Sequence, residues 1–254
     1  MLGAPVLRPL WTTVGGLRMF ARVSAVPRGD DIVLLHGLAV SSRYMVPLAL
    51  ELAKHHTVWA PDLPGFGKSQ RTPRALGPQE QAEWLKAWLD SAGLKQALFV
   101  GNSMGCQALV ELALRYPDTV GRLVLLGPTF DKTAPHRLSQ VWRLFLDQFR
   151  EPLSLVPMQA FEYLHFGTSR TLKTFTMGVR HPMLQRARLV RQSTLILRGN
   201  RDPIVSREWT QMLGSAMPNA RTEEIARAAH ALNYNSPRQV IEQIDAWSHA
   251  LDHR

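Results

Sequence analysis

Apolar and polar positions along the chain alternate between two kinds of stretch. Short runs of apolar, often β-branched residues recur at Ile32–Leu35, Thr57–Ala60, Ala97–Val100, Leu123–Leu126 and Thr194–Leu197. Each is too short for a helix and nearly continuous in hydrophobicity, as expected of a strand buried on both faces of a parallel sheet. Between most of them the apolar residues return at helical spacing, which predicts helices over Ser42–His55, Glu80–Ser91 and Met104–Arg115, the last stopped by Tyr116-Pro117. Upstream, two β-leaning runs between Leu10 and Ser24 flank Gly15-Gly16 and predict a hairpin. A last strand is read at Arg221–Ile225. The pattern predicts an α/β fold: a mostly parallel central sheet flanked by helices.

The alternation lapses between Leu126 and Thr194, where helical spacing appears at Leu138–Phe149 and Met158–Phe166 with no strand. The chain is therefore divided into a core of residues 1–130 and 192–254 and a helical insertion, 131–191.

Composition narrows the class. The 254 residues are 45% hydrophobic and 20% charged, enough to bury a core, and no heptad run or long-period repeat marks a coiled coil or solenoid. The single cysteine, Cys106, permits no internal disulfide and no thiolate-rich zinc site. No apolar stretch is long enough to span a bilayer and the first residues lack the apolar core of a signal peptide, so a cytoplasmic location and no membrane association are expected. Net charge is +10, carried by 24 Arg and 6 Lys that are scattered singly. Without a basic cluster, nucleic acid is not an expected partner. The insertion alone holds ten basic and four acidic residues. This reads as a basic solvated surface, with attraction of an anionic substrate as the sharper alternative.

The strongest chemical signal is Gly101-Asn102-Ser103-Met104-Gly105, between a strand run and a helical pattern. Small residues two before and two after Ser103 let strand and helix approach, so that the hydroxyl stands clear of the sheet. A serine hydroxyl needs a base, and the base an orienting acid. Asp202, after the run Thr194–Leu197, and His230, in the small-residue loop Ala228–Ala231, are the candidates, with Asp131 a rival acid. The backbone N–H groups of Met104 and Leu38 are the expected oxyanion donors, with Ala39 in reserve. His36 is read as scaffold for that loop; His55, His56, His136, His165, His181, His249 and His253 are read as solvated or structural. Gly65-Phe66-Gly67-Lys68-Ser69 resembles the end of a phosphate-binding loop, but Asp62 occupies the position of its first glycine, so it is read as a turn. Cys106 is read as a packing residue.

On these residues, together with His36-Gly37 and Pro61–Ser69, the chain resembles the α/β-hydrolase family over nearly its whole length, including the order Ser103, Asp202, His230. The resemblance implies a Ser-His-Asp triad, no metal or cofactor, a lid formed by 131–191, and a small-molecule ester as substrate: a carboxylesterase. Serine at the nucleophile position speaks against the dehalogenases and epoxide hydrolases of the family, which attack with a carboxylate. The elbow is also similar to that of the carbon–carbon hydrolases of meta-cleavage products. Those usually carry Trp after the catalytic His, where this chain has Ala231, and hold the substrate carboxylate with a cap arginine. A hydrolase-fold binding protein without turnover is the remaining alternative. Most aromatic and methionine side chains of the insertion are read as its own core, with Met158 and Phe161 expected to line the substrate pocket.

Overall fold

The structure, a computed structural model, describes residues 5–133, 137–147 and 149–253. In chain order the strands are β1 (Leu7–Val14), β2 (Leu17–Ser24), β3 (Asp31–Leu35), β4 (Thr57–Pro61), β5 (Ala97–Asn102), β6 (Val120–Leu126), β7 (Ser193–Gly199) and β8 (Ala220–Ile225). The α-helices are α1 (Val46–Leu52), α2 (Pro78–Ser91), α3 (Gly105–Arg115), α4 (Arg137–Asp147), α5 (Leu155–Phe166), α6 (Thr168–Arg180), α7 (Met183–Ala187), α8 (Arg207–Ala216), α9 (Leu232–Asn235) and α10 (Pro237–Asp252). His136 lies outside the described residues.

All eight strands form one sheet in the order β1-β2-β4-β3-β5-β6-β7-β8. The first hairpin turns at Gly15-Gly16, where positive φ values of 55° and 81° cost glycine nothing. β2 is antiparallel to β1 and β4, and every pairing from β4 to β8 is parallel. The chain therefore has the α/β fold expected of its alternating pattern, a mostly parallel sheet flanked by helices.

Period-two alternation divides the core between the two faces of the sheet. On β3, Val33 and Leu35 join the layer containing Leu85 and Trp88 of α2, Leu109 of α3 and Trp209 of α8. Their neighbours Ile32 and Leu34 join the opposite layer with Leu48 of α1 and Val240, Ile244 and Trp247 of α10. Each layer buries bulky apolar side chains at roughly 25 cal/mol per Å², which is why the strands read as unbroken apolar runs.

Two local departures have plain causes. The helical stretch read from Ser42 begins instead as a 3-10 turn, Ser42–Met45, because Pro47 lacks an N–H and suits only a first helical turn, so α1 starts at Val46. Among the described residues the insertion between β6 and β7 holds four helices rather than two. Its aromatic residues are also less buried than expected: Phe166 is buried, whereas Trp142, Phe145 and Phe149 form an exposed row, Trp142 stacked on Phe145 and Phe149 edge-on to it. Among the described residues no helix is long and apolar enough to cross a membrane.

Candidate active site

The carboxyl ends of β3, β5, β6, β7 and β8 all reach one edge of the sheet, where open α/β sheets place their sites. At the end of β5 the chain turns into α3 through Ser103, whose φ of 57° is strained for a residue with a Cβ. The flanking glycines are required sterically. A Cβ on Gly101 would lie 2.8 Å from Leu109 Cδ1, and one on Gly105 2.6 Å from the His36 carbonyl oxygen. Asn102 reaches sideways, donating from Nδ2 to the carbonyls of Leu126 and His230, both at 3.3 Å, and so ties the elbow to the end of β6 and to the loop after β8.

After β7, Asp202 is fully buried, and its Oδ1 accepts the N–H groups of Ile204 (2.8 Å) and Val205 (3.0 Å). Its Oδ2 is 2.8 Å from His230 Nδ1. Gly127, at the end of β6, leaves room for this pair; a Cβ there would lie 2.9 Å from the imidazole. His230 Nε2 is buried without a partner, and Ser103 Oγ has Thr129 Oγ1 as a polar neighbour at 3.5 Å. Burial by itself lowers the His230 pKa, but the charge and hydrogen bond of Asp202, reinforced by Asp147 and Glu151, raise it to about 9.

Ser103 and His230 share the wall of a cavity of about 390 Å³ with Leu38 and Met104. Among the described residues neither the Leu38 nor the Met104 N–H has a hydrogen-bond partner. His36 holds the Leu38 loop in place. Its Nε2 accepts the Leu63 N–H at 3.3 Å, which leaves the proton on Nδ1 to be donated to the Gly37 carbonyl at 2.9 Å. Burial pulls its pKa down to about 4, so it stays neutral. Ala39 lines the same cavity with a φ of 52°.

The remaining sequence readings find their places. Asp131, the rival acid, is far from free: its carboxylate takes Arg143 Nη1 at 2.6 Å, the Ser206 N–H at 3.0 Å and the Thr133 hydroxyl at 2.6 Å. The segment resembling a phosphate loop is a turn wrapped on buried Asp62, which accepts the N–H groups of Ser42 and Lys68; a Cβ on Gly67 would collide with that carboxylate. Cys106 is fully buried, its Sγ 3.2 Å from the Gly101 carbonyl, and burial pushes its thiol pKa up, which suits packing and not attack.

Met158 and Phe161 are not on the cavity wall. α5 turns Val156, Gln159, Ala160 and Tyr163 toward the cavity. That helical face leaves Met158 in the core layer with Leu155, and Phe161 59% exposed, stacked on His165.

What the sequence reading missed comes mainly from the insertion. Asp147, the last residue of α4, lines the cavity, and Glu151 four residues later accepts the Ala231 N–H and Asn235 Nδ2, each at 2.7 Å. Glu162 accepts the Ser41 hydroxyl at 2.7 Å. The available signal was four acids in a strongly basic segment: all four, Asp131, Asp147, Glu151 and Glu162, are buried. Burial raises the Asp147 pKa to about 7, helped by the charges of Glu151 and Asp202 and opposed by His230.

Residues 32–243 match the alpha/beta hydrolase family. The chain is 28% identical to a 2-hydroxy-6-oxo-2,4-heptadienoate hydrolase of Pseudomonas putida F1, the match covering 89% of this chain and 92% of that one. It is 27% identical to a pimeloyl-(acyl-carrier protein) methyl ester esterase of Citrobacter koseri, over 85% of this chain and 92% of that one. Among solved structures it is similar in fold to a thermophilic esterase from Thermogutta terrifontis, with a TM-score of 0.79 at 20% identity over 96% of this chain and 98% of that one. It is also similar in fold to a meta-cleavage product hydrolase from Pseudomonas fluorescens IP01, with a TM-score of 0.74 at 22% identity over 95% and 98%.

Proposed function

The chain belongs to the alpha/beta hydrolase family, and from that premise we propose that it is a serine hydrolase of neutral carboxylic esters. The observation that carries the choice is the cavity wall beside Ser103: among the described residues it holds no Lys or Arg, and its one carboxylate is Asp147. A substrate bearing a carboxylate would enter a mostly apolar site with no cation to pair it apart from the imidazole that must serve as base, at a cost of several kcal/mol. A neutral ester meets no such penalty.

In this reading Ser103 Oγ attacks the ester carbonyl and His230 Nε2 takes its proton, which is why that nitrogen is left without a resident partner. Asp202, fixed by two backbone N–H groups, keeps the His230 proton on Nδ1 and stabilises the imidazolium that forms. The Leu38 and Met104 N–H groups receive the oxyanion, each contributing about 3 kcal/mol to the transition state. His230 returns its proton to the leaving alcohol, then deprotonates the water that releases the acid. In this reading the Ser103 Oγ–His230 Nε2 hydrogen bond forms when substrate fills the cavity. The insertion serves as the lid over Ser103, with Val156, Gln159, Ala160 and Tyr163 of α5 forming its underside.

A second reading, hydrolysis of a carbon–carbon bond in a dienoate, is favoured by the relative in Pseudomonas putida F1, whose name gives that class of substrate. The two are separated by measuring turnover of a p-nitrophenyl ester series and of a coloured meta-cleavage product, with Ser103→Ala in parallel. We expect ester turnover that Ser103→Ala lowers at least about 10⁴-fold while the circular dichroism spectrum stays unchanged. Bleaching of the dienoate with higher kcat/KM than any ester would overturn the ester assignment.

A further inference from the structure

The floor of the cavity is accounted for by Ser103, His230 and the oxyanion donors, but its wall carries two acceptors that the reaction does not use. Asp147 is 4% exposed, and its Oδ1 is buried without a hydrogen-bond partner. Gln159 Oε1, on the facing part of α5, is likewise buried and unpartnered. Both side chains line the same cavity as Ser103. A buried oxygen left without a donor costs roughly 1–3 kcal/mol, more when it is charged; the charge and backbone N–H of His230 ease the burial of this carboxylate, but its Oδ1 has no partner within hydrogen-bond distance among the described residues. The Gln159 amide can also turn its NH2 to the cavity, so Asp147, which can only accept when ionised, decides the chemistry.

The surroundings point the same way. Asp147 feels the negative charges of Glu151 and Asp202 and the positive charge of His230. Glu151 is committed to the Ala231 N–H and Asn235, and Asp202 to His230. The buried Tyr44 ring lines the cavity as well, its hydroxyl held protonated by burial and by these carboxylates. Resting on the reading of Ser103 as the nucleophile, we propose that Asp147, with Gln159, forms a subsite for a hydrogen-bond-donating group of the substrate, an ammonium or a hydroxyl, and excludes a carboxylate there. Asp147 is thus a specificity-determining residue supplied by the insertion.

The test uses alkylboronic acids, which add reversibly to an activated serine, with chains of three to six carbons ending in methyl, hydroxyl, ammonium or carboxylate. Affinities for the full-length protein are read by calorimetry. We expect the best ammonium- or hydroxyl-ended compound to bind at least about tenfold more tightly than its methyl-ended match, and the carboxylate-ended one at least about tenfold more weakly. In Asp147→Asn the ammonium-to-methyl ratio falls to within about twofold of unity; as a ratio, it is insensitive to a general loosening of the site. A gain for ammonium alone assigns the recognition to charge, and a gain for both donors to hydrogen bonding. Equal binding of all four tails, or an ammonium preference that survives Asp147→Asn undiminished, overturns the subsite and leaves the esterase reading intact. Failure of every boronic acid to bind in a Ser103-dependent way overturns both.

Discussion

At Ser103 the backbone holds a φ of 57°, a conformation that costs an L-residue of order 1–3 kcal/mol. The cost is tolerated because Gly101 and Gly105 allow strand and helix to close on the turn and Asn102 anchors it to the end of β6 and the loop after β8. These requirements explain why the elbow was legible in the sequence: strain and close approach restrict the residue types, and restriction leaves a motif. Asp202 and His230 were legible by their positions after strand runs. Asp147 was not, because a cavity-facing carboxylate imposes no local backbone constraint and leaves no pattern beyond its sign. It should nevertheless govern the pH profile. To serve as the proposed base His230 must be neutral, and its pKa is raised to about 9 by carboxylates that outweigh burial. The expected kcat/KM therefore climbs with pH through a limb well above 6.5, the ordinary histidine value. Removing one of those charges in Asp147→Asn moves the limb to lower pH. A limb near 6.5 in the wild type, or one that the substitution leaves in place, would contradict this account of the imidazole.

Among the elements, the sheet was readable and the insertion only half so, for a single physical reason. Strands buried on both faces must be apolar throughout, as Leu123–Leu126 and Thr194–Leu197 are, and such runs stand out. α6 buries Thr174 and Gly178, small residues that do not stand out as core positions, so the sequence reading passed it over. Gly178 is small by necessity: a Cβ there would lie 2.5 Å from the Phe130 ring. The end of α6 and α7 are fastened to α3 by Glu111, a buried carboxylate that takes His181 Nε2 at 2.8 Å and Arg186 Nε and Nη2, each at 2.7 Å. Burial would raise the Glu111 pKa, but these partners hold it down to about 2. Its contribution is thus complete above the ordinary carboxylate value near 4.5 and is lost as pH falls toward 2. Glu111→Leu should lower unfolding stability at pH 7 by about 3 kcal/mol, with the partly exposed Arg186 keeping the loss below that of a fully buried pair. Urea denaturation at pH 7 and pH 3 checks it, the difference between wild type and variant narrowing at the lower pH. A difference of equal size at both would place the effect in packing instead of charge.

At the scale of the whole molecule, charge is sorted by direction. The protein carries a net +10, and the insertion supplies ten of the basic residues. None of the nine whose side chains are described is buried, whereas all four acids of the same segment are. The acids point inward and tie the insertion to the core or face the cavity; the described bases keep solvent exposure, even Arg143 and Arg186, which pair with the buried Asp131 and Glu111. The sharper sequence reading, a basic insertion that draws an anionic substrate, therefore loses its support at the reacting atoms, since the described cavity wall offers such a substrate no Lys or Arg. The external charge can still act at a distance, raising the encounter rate of an anion but not that of a neutral molecule, and salt screens such steering within about 10 Å at 0.1 M. The two kinds of substrate should then respond differently to ionic strength. For a neutral ester, kcat/KM should change by less than about twofold between 0.05 and 0.5 M sodium chloride, because no long-range attraction is there to screen. For a carboxylate-bearing ester of the same length, any turnover should be lower at every salt concentration, and its kcat/KM should fall as salt removes the steering. If the carboxylate ester is instead the better substrate at high salt, where steering is gone, the preference must arise inside the cavity, and the inward acids cannot be what selects the substrate.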